Sequence, residues 1–510
     1  MLTLALFGCA KNPATGGVDM VFMTEEEEFE IGHDVARNAI KTHGLYKEND
    51  AFVKYYKEIS RNLVDVTERA EMPFEFIVLD SGQFNAWATP GYINIYRGII
   101  PFMNSESEFA AVMAHEAGHV AARHTVRKDA ARKAGSALLF VGAALIGANT
   151  DNKAVAYGAL GAGLFATQVG FAKYSRAYED EADELALRYM RSMGYDPKEA
   201  VGMYQTMGYY NDLRTTIYKY FNDGEEPKES MYYDLLASHP NPDDRVEQVI
   251  KREGSLPQGY VSENRDRFLA KIDGMAFGPN FRQYGVVGER NLYNPDNRMV
   301  GTLPEGFLTM YMGDGWRSYN NVYKAEASFY KKRVSKGEDP EETLRVMYPK
   351  LRQLQKLELD GFEAYTGTQK WVKRGTWGKL ETLGMQRVFG FKVLQDKRDD
   401  VEKGSSGRDF YILSFFTPEE HFENLDQQFF KSAESFQRLS RKDADRIEPL
   451  RVKIYTVQKG DTVKSLAAKL PFGDLKESWF RALNGLGQYD AVKVGHKVKL
   501  IVDPNLKILQ

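Results

Sequence analysis

Two histidines and a glutamate within five residues offer the most specific chemistry in the chain. His115, Glu116 and His119 form the pattern H-E-x-x-H. Residues four apart on a helix lie on one face, so both imidazoles can bind one zinc ion at about 2.0–2.1 Å. Glu116 lies beside them, where its carboxylate can take a proton from a water molecule on the open metal position. The alternative is an amphipathic helix that carries two incidental histidines.

The third protein ligand has two candidates. His124 follows His119 by five residues, which on a continuous helix turns it about 140° away, so we interpret it as a helix-end histidine. The other candidate is Glu179, with Asp183 one turn later on the same helix face. A carboxylate ligand with a second acid that accepts a hydrogen bond from a ligand imidazole makes a His₂Glu site.

These motifs together resemble the gluzincin zinc metallopeptidases of the HtpX, BepA and prenyl-protease type, in their bacterial lipoprotein form. The resemblance covers about residues 11 to 252 and includes Pro90-Gly91, Ser238-His239-Pro240 and Arg245. It implies one zinc ion per chain, and it gives four kinds of role. The implied zinc ligands are His115, His119 and Glu179; the general base is Glu116; Asp183 supports a ligand; His239 and Arg245 stabilise the oxyanion.

Two details of this resemblance stay open. In some relatives the histidine equivalent to His239 caps the zinc and keeps the enzyme latent. The family often carries two glycines after the proline, whereas here Gly91 alone precedes Tyr92.

The elements around the motif are predicted from capping and alternation. Ser105 is a typical N-cap and Glu108 completes a capping box, so a helix is expected through the two histidines. Upstream of this helix, apolar and polar residues alternate from Tyr92, which predicts a strand. We interpret it as a substrate strand to which an extended peptide adds; the alternative is a plain structural strand. The residues assigned to substrate are Gly91, Tyr92, Ile93, Asn94 and Ile95.

Composition limits the other partners. The 510 residues include 68 basic and 71 acidic side chains, and no basic stripe is present, which argues against a nucleic-acid partner. Two stretches rich in alanine and glycine, 136–148 and 154–172, are expected to form a helical hairpin near the active site. The alternative is a hairpin that dips into a membrane.

The single cysteine, Cys9, follows a short apolar run at 2–7. This resembles the end of a lipoprotein signal peptide, which predicts a lipid anchor at Cys9 in the outer membrane, facing the periplasm. The alternative is a buried segment with an incidental thiol. On the lipoprotein interpretation the mature body has no other cysteine and therefore no internal disulfide.

The α+β module that begins after about Arg252 carries no cluster of catalytic residue types. Helix is expected from about Pro340 to Asp360 and a buried strand over 409–416. Residues Tyr455 to Leu500 are similar to a LysM module of strand, two helices and strand; such modules bind glycans such as peptidoglycan. The alternative is a packing module that lost its ligand.

The predicted fold class is therefore α+β and multidomain. The predicted segments are a signal-like stretch (1–9), a mainly helical zincin domain with a small sheet (10–252), an α+β accessory domain (253–450) and a LysM-like βααβ module (451–510). The predicted function is a zinc metalloendopeptidase for unfolded or misassembled envelope proteins. The alternatives are a latent peptidoglycan-binding scaffold and a cell-wall peptide hydrolase.

Overall fold

The computed structural model describes residues 8–21, 23–130, 176–227, 239, 242–257, 260–262, 264–288, 290–312, 315–333, 339–359, 361–374, 380–393 and 409–507. They divide into two compact units, one within residues 1–208 and 232–272 and the other within 209–231 and 273–510. The predicted segment boundaries at 9, 252 and 450 remain predictions. The hairpin predicted over 136–148 and 154–172 lies outside the described residues. None of the described helices is both long and apolar enough to cross a bilayer.

The first unit is mainly helical with a small sheet. Its strands are β1 (Gly8–Lys11), β2 (Val18–Val21), β3 (Glu75–Leu79), β4 (Ala86–Thr89) and β5 (Tyr92–Tyr96). Its helices are α1 (Glu25–His43), α2 (Asp50–Val64), α3 (Glu106–Ala121), α4 (124–130), α5 (176–192), α7 (Pro242–Glu253) and α8 (Arg265–Ile272), with 3₁₀ turns at Arg97–Phe102 and Pro197–Glu199. Helix α6 (Ala200–Phe221) has residues in both units.

The order of the three-stranded sheet corrects one prediction. Strand β5 lies in the centre, parallel to β3 and antiparallel to β4, and all five of its residues are buried. The predicted substrate strand, Gly91 with Tyr92, Ile93, Asn94 and Ile95, therefore has no free edge for a further strand. The alternating pattern identified the strand, but alternation does not tell a central strand from an edge strand. Among the described strands, β4 forms one edge of this sheet.

Helix α3 carries the H-E-x-x-H motif and is buried on nearly all sides. Ser105 caps it by accepting from the Glu108 N–H at 3.1 Å. The Glu108 carboxylate accepts from the Asn104 N–H at 2.8 Å rather than from Ser105 as a capping box requires. Phe109 packs edge-on against Phe52 of α2, with ring centroids 5.9 Å apart. These contacts fix the helix upstream of the motif.

The helix after the motif is broken at a defined residue. Arg123 has a φ of 54°, in the left-handed region that non-glycine residues seldom adopt. Its guanidinium pairs with the buried Glu28 of α1, which also accepts from Arg69 at 2.9 Å. The chain therefore leaves the helical conformation after α3, and a separate helix, α4, starts at His124.

The second unit is built on strands. These are β6 (Ala276–Phe277), β7 (Val286–Val287), β8 (Asn291–Asn294), β9 (Met299–Thr302), β10 (Leu308–Tyr311), β11 (Trp316–Asn320), β12 (Ala325–Arg333), β13 (Arg352–Leu359), β14 (Phe362–Arg374), β15 (Leu380–Val393), β16 (Asp409–Thr417), β17 (Gln437–Arg438), β18 (Leu450–Thr456) and β19 (Lys497–Val502). The helices are α9 (Phe281–Tyr284), α10 (Pro340–Met347), α11 (Glu419–Glu434), α12 (Arg441–Ala444), α13 (Val463–Ala467) and α14 (Lys476–Asn484), with 3₁₀ turns at Gly473–Leu475 and Pro504–Lys507.

A seven-stranded antiparallel sheet, ordered β10-β11-β12-β16-β15-β14-β13, forms the core of this unit. Helix α11 covers one face, where Phe429 stacks on Phe415 with centroids 4.4 Å apart. Helix α10 covers the other face, where Leu344 packs with Phe410 and Ile412. Both faces of the central strand β16 are therefore buried, as its continuous apolar sequence predicts.

The helix predicted from Pro340 to Asp360 is wrong in its second half. Helix α10 ends at Met347, two residues before Pro349, whose preceding residue is disfavoured in helical conformation. The residues after it form β13, which pairs with β14. Sheet pairing thus overrides the helix-forming composition of this stretch.

The C-terminal residues have the predicted LysM-like arrangement. Strands β18 and β19 pair antiparallel, and α13 and α14 lie between them in the chain. Thr462 caps α13 and exchanges hydrogen bonds with Ser465. The predicted α+β multidomain fold class is confirmed.

A buried glycine of α1 supplies a test of the packing. A β-carbon on Gly32 would lie 2.3 Å from the Pro90 carbonyl oxygen, so the turn between β4 and β5 would have to shift. We expect Gly32→Ala to lower the free energy of unfolding by about 1–3 kcal/mol. Gly208→Ala is the matched control, since its β-carbon meets nothing closer than 4.0 Å and alanine favours a helix by up to about 1 kcal/mol. Loss at both positions in chemical unfolding would contradict the packing of α1.

Candidate metal centre

Four side chains converge on one point of the first unit. His115 Nε2 lies 3.0 Å from His119 Nε2, 3.0 Å from His239 Nδ1 and 3.4 Å from Glu179 Oε2. Glu179 Oε1 lies 3.5 Å from His119 Nε2. The ligand atoms of all four residues lie within 4.8 Å of one another, which is the grouping a metal ion requires.

The donor set fits zinc. Two ligands at about 2.0–2.2 Å from one tetrahedral ion lie roughly 3.3 Å apart, close to the separations among His115, His119 and Glu179. Imidazole nitrogens with a carboxylate oxygen are typical zinc donors. These residues are buried or nearly so, and a buried carboxylate such as Glu179 is stabilised by a cation beside it.

The pKa values of two proposed ligands, Glu179 and His115, are set by the charged groups around them. Burial alone would raise the pKa of Glu179, but its hydrogen bonds with His115 and His239 hold it well below the usual range. Burial and Arg245 act to lower the pKa of His115, yet the hydrogen bonds with Asp183 and Glu179 outweigh them and raise it to about 9. The carboxylates that favour an imidazolium would equally favour a divalent metal.

His115 is oriented by a buried ion pair. Its Nδ1 donates to Asp183 Oδ1 at 2.8 Å. Arg245 donates to the same carboxylate from Nε at 2.8 Å and from Nη2 at 2.5 Å. The guanidinium lies over the ring of Tyr204, 4.3 Å from its centroid. Asp183 is thus held by a fixed cation while it fixes the imidazole.

His119 is oriented differently. Its Nδ1 lies 2.8 Å from His124 Nδ1, and His124 Nε2 lies 3.1 Å from Glu181 Oε2. The break at Arg123 turns His124 back towards α3, so the angle expected on a continuous helix does not apply. Sequence reasoning missed the contact of His124 with His119, and it missed Glu181 and Tyr204, for which the sequence carried no signal.

Glu116 and His239 lie next to each other beside the three proposed ligands. His239 Nδ1 is 2.6 Å from Glu179 Oε2, and its Nε2 is 3.5 Å from Glu116 Oε1. Burial raises the pKa of the Glu116 carboxyl. A raised pKa suits a group that must accept a proton and release it again.

A small cavity of about 10 Å³ opens on these side chains, room for about one water molecule. Its lining includes His115, Glu116, His239 and Arg245, together with three apolar side chains. Arg245 Nη1 is buried and has no hydrogen-bond partner among the described residues. An unpaired donor here could bind an oxygen that becomes negative during a reaction.

The structure brings seven predicted site residues together: His115, Glu116, His119, Glu179, Asp183, His239 and Arg245. It does not present the predicted substrate strand as an edge. Cys9 lies in β1, where it pairs with Met20 of β2. The roles of all these residues remain proposals.

Comparison with known proteins gives two family matches. Residues 53–253 match the profile of Peptidase family M48, and residues 455–500 match that of the LysM domain.

Three individual relatives match parts of the chain. The Beta-barrel assembly-enhancing protease of Escherichia coli (strain K12) is 26% identical over 222 residues, 43% of this chain and 42% of that protein. The Mitochondrial metalloendopeptidase OMA1 of Schizosaccharomyces pombe is 26% identical over 208 residues, 41% of this chain and 54% of that protein. Metalloprotease YcaL of Escherichia coli is 28% identical over 191 residues, 36% of this chain and 63% of that protein. The chain spans only about half the length of such relatives.

The buried ion pair that orients His115 can be tested by stability. Arg245→Met leaves Asp183 buried without its cation, so we expect the free energy of unfolding of the chelator-treated protein to fall by about 3–5 kcal/mol. Arg252→Met on the same helix is the control. Its partner Glu184 is 77% exposed, so the expected loss is below about 1 kcal/mol. Equal losses in urea unfolding would show that Arg245 is not a buried partner.

Proposed function

We propose that this chain, which contains a Peptidase family M48 domain and a C-terminal LysM domain, is a zinc-dependent metalloendopeptidase. One observation carries the proposal: donor atoms of His115, His119 and Glu179 lie 3.0–3.5 Å from one another, as atoms that share one metal ion do. The Glu116 carboxylate lies beside this group, 3.5 Å from His239. His115, His119 and Glu179 are the proposed zinc ligands, with one ion per chain.

The remaining site residues have proposed roles in peptide-bond hydrolysis. Zinc, when bound, supplies a Lewis acid for the scissile carbonyl. Glu116 takes a proton from the attacking water and passes it to the nitrogen of the leaving amine. Arg245 Nη1, together with His239 Nε2 when that nitrogen carries a proton, can donate to the negative oxygen of the tetrahedral intermediate. Asp183 keeps His115 in the tautomer that leaves Nε2 free as a ligand.

The proposed substrate is an extended segment of an unfolded or misassembled cell-envelope protein. An extended peptide pairs with a sheet through main-chain hydrogen bonds, which requires a free edge. Strand β4 offers such an edge in the described part of the sheet, and it belongs to the same unit as α3. Main-chain pairing accepts many sequences, which suits a protease that acts on unfolded chains.

The proposed location is the bacterial cell envelope. The apolar run that ends in Gly8-Cys9 supports a lipid anchor at Cys9 in the outer membrane, facing the periplasm. The LysM domain supports binding to peptidoglycan beside that membrane. The same domain also suggests a cell-wall peptide hydrolase, but a sheet edge fits a linear polypeptide better than a branched glycopeptide.

The role of Glu116 is the direct test of the activity. We expect Glu116→Gln to retain one zinc per chain and to lower casein cleavage by a factor of about 10²–10⁴, because the amide cannot accept the proton. Zinc content and casein turnover of the full-length parent and variant are the measurements. Cleavage of purified peptidoglycan, with casein intact, would favour the cell-wall hydrolase instead. Equal casein turnover in both proteins would rule out Glu116 as the base.

A second candidate, a latent peptidase-like scaffold that binds peptidoglycan, is favoured by the position of His239. Its Nδ1 lies 3.0 Å from His115 Nε2, as a fourth metal ligand would. If His239 blocks the substrate position, His239→Ala should raise casein turnover from near zero. If His239 stabilises the oxyanion, the same change should lower turnover by a factor of about 10²–10³ without loss of zinc. The direction of the change in casein turnover decides between the two.

A further inference from the structure

The two imidazoles of α3 are held by different kinds of partner. His115 Nδ1 donates directly to the Asp183 carboxylate, 2.8 Å away. His119 Nδ1 faces another imidazole, that of His124, at 2.8 Å. Second-shell partners of metal-binding histidines fix both the tautomer and the ring orientation. The partner of His119 therefore bears on how the site holds its metal.

Hydrogen-bond chemistry assigns the protons along this contact. If His119 presents Nε2 to the metal, its Nδ1 carries the proton and donates to His124 Nδ1. His124 must then carry its own proton on Nε2, which donates to Glu181 Oε2 at 3.1 Å. Every nitrogen along this path has one role, and none is left without a partner.

Glu181, the last residue of this path, is held by an ion pair with Arg127. Glu181 Oε2 also accepts from Arg127 Nη1 at 2.7 Å, and Arg127 Nε lies 3.3 Å from Asp19 Oδ1. Asp19 is held in turn by Asn12 Nδ2 at 2.8 Å. The path from His119 therefore ends on a carboxylate that an arginine holds in place, as the path from His115 does.

The ring of His124 is also held by packing. It is 3% exposed and stacks on Tyr178 of α5, with centroids 4.6 Å apart and ring planes 21° apart. A histidine that only capped a helix end would direct a nitrogen at a backbone carbonyl of the last turn. Here both nitrogens contact side chains, one of them a proposed zinc ligand.

We propose that His124 and Glu181 form a positioning relay for His119. The relay rests on the proposed zinc site. His124 holds the His119 proton on Nδ1 and thereby keeps Nε2 free to bind the metal, while Glu181 sets the tautomer of His124. Neither residue contacts substrate, so both act through His119.

The test measures zinc affinity rather than turnover. The dissociation constant of zinc is obtained for the full chain by competition with a chromophoric chelator, and the absorption spectrum of the cobalt-substituted protein reports ligand geometry. His124→Phe keeps a ring but removes both hydrogen bonds, so we expect zinc binding to weaken about tenfold or more and the cobalt bands to shift. His124→Gln can still accept and donate, and should bind zinc within about threefold of the parent.

Glu181→Ala tests the end of the relay without altering the ring, and should weaken zinc binding by about threefold to tenfold. Glu184→Ala is the matched control on the same helix, because Glu184 is exposed, and should leave zinc affinity unchanged.

Three results would overturn the relay: parent-like affinity in His124→Phe, equal losses in His124→Phe and His124→Gln, or no change in Glu181→Ala. The last result decides the matter if His124→Phe does not fold. A parent that binds zinc but never cleaves casein would contradict the proposed function, and the affinity series would still decide the relay.

Discussion

Gly118 faces α5 from the middle of the metal motif, and a β-carbon there would lie 3.1 Å from the Ala182 carbonyl oxygen and 3.2 Å from Leu185 Cβ. The absence of a side chain at this position lets α3 and α5 approach closely. Glu179 and Asp183 lie on α5 on either side of Ala182, so the same contact brings both carboxylates to the two histidines. The rest of the site depends on this approach, because neither helix alone supplies a complete ligand set.

Close approach of so many charged groups requires compensation. Glu116, Glu179 and Asp183 are all buried, and Arg245 is the described cation among them. Buried carboxylates without partners are costly, so Arg245 and the three histidines are needed for this packing as much as for chemistry. The same surplus of acid makes the site receptive to a divalent ion. The buried carboxylates therefore determine both which cationic partners the packing needs and how well the site can bind a metal ion.

The sequence allowed the helical half of this site to be predicted because spacing determines geometry on a helix. His115 and His119, and likewise Glu179 and Asp183, share a face whatever surrounds them. The position of His124 could not be predicted in this way, since the left-handed turn at Arg123 depends on its buried partner Glu28, 95 residues away in sequence. Spacing in the sequence therefore predicts which side chains share a face within one helix. It does not predict the position of a side chain beyond the end of that helix, as for His124 after the turn at Arg123.

For strands too, the sequence pattern of one segment does not predict contacts that depend on other segments. Alternation identified β5, but its central place in the sheet depends on β3 and β4, which pair with it from outside the pattern. The apolar run of β16 predicts a buried strand, and the structure has one there. By contrast, the composition of β13 predicts helix, because its pairing with β14 is not encoded in its own residues.

The proposed metal centre requires Glu179 of α5 to complete a ligand set that α3 supplies only in part. The most direct measurement is zinc binding by Glu179→Ala. Asp180→Ala is the control, because Asp180 is the next residue in the chain and is exposed. We predict that the first variant loses zinc in equilibrium titration against a chelator, whereas the second binds one zinc per chain as the parent does. Zinc binding by Glu179→Ala at parental affinity would contradict the assignment of the metal centre.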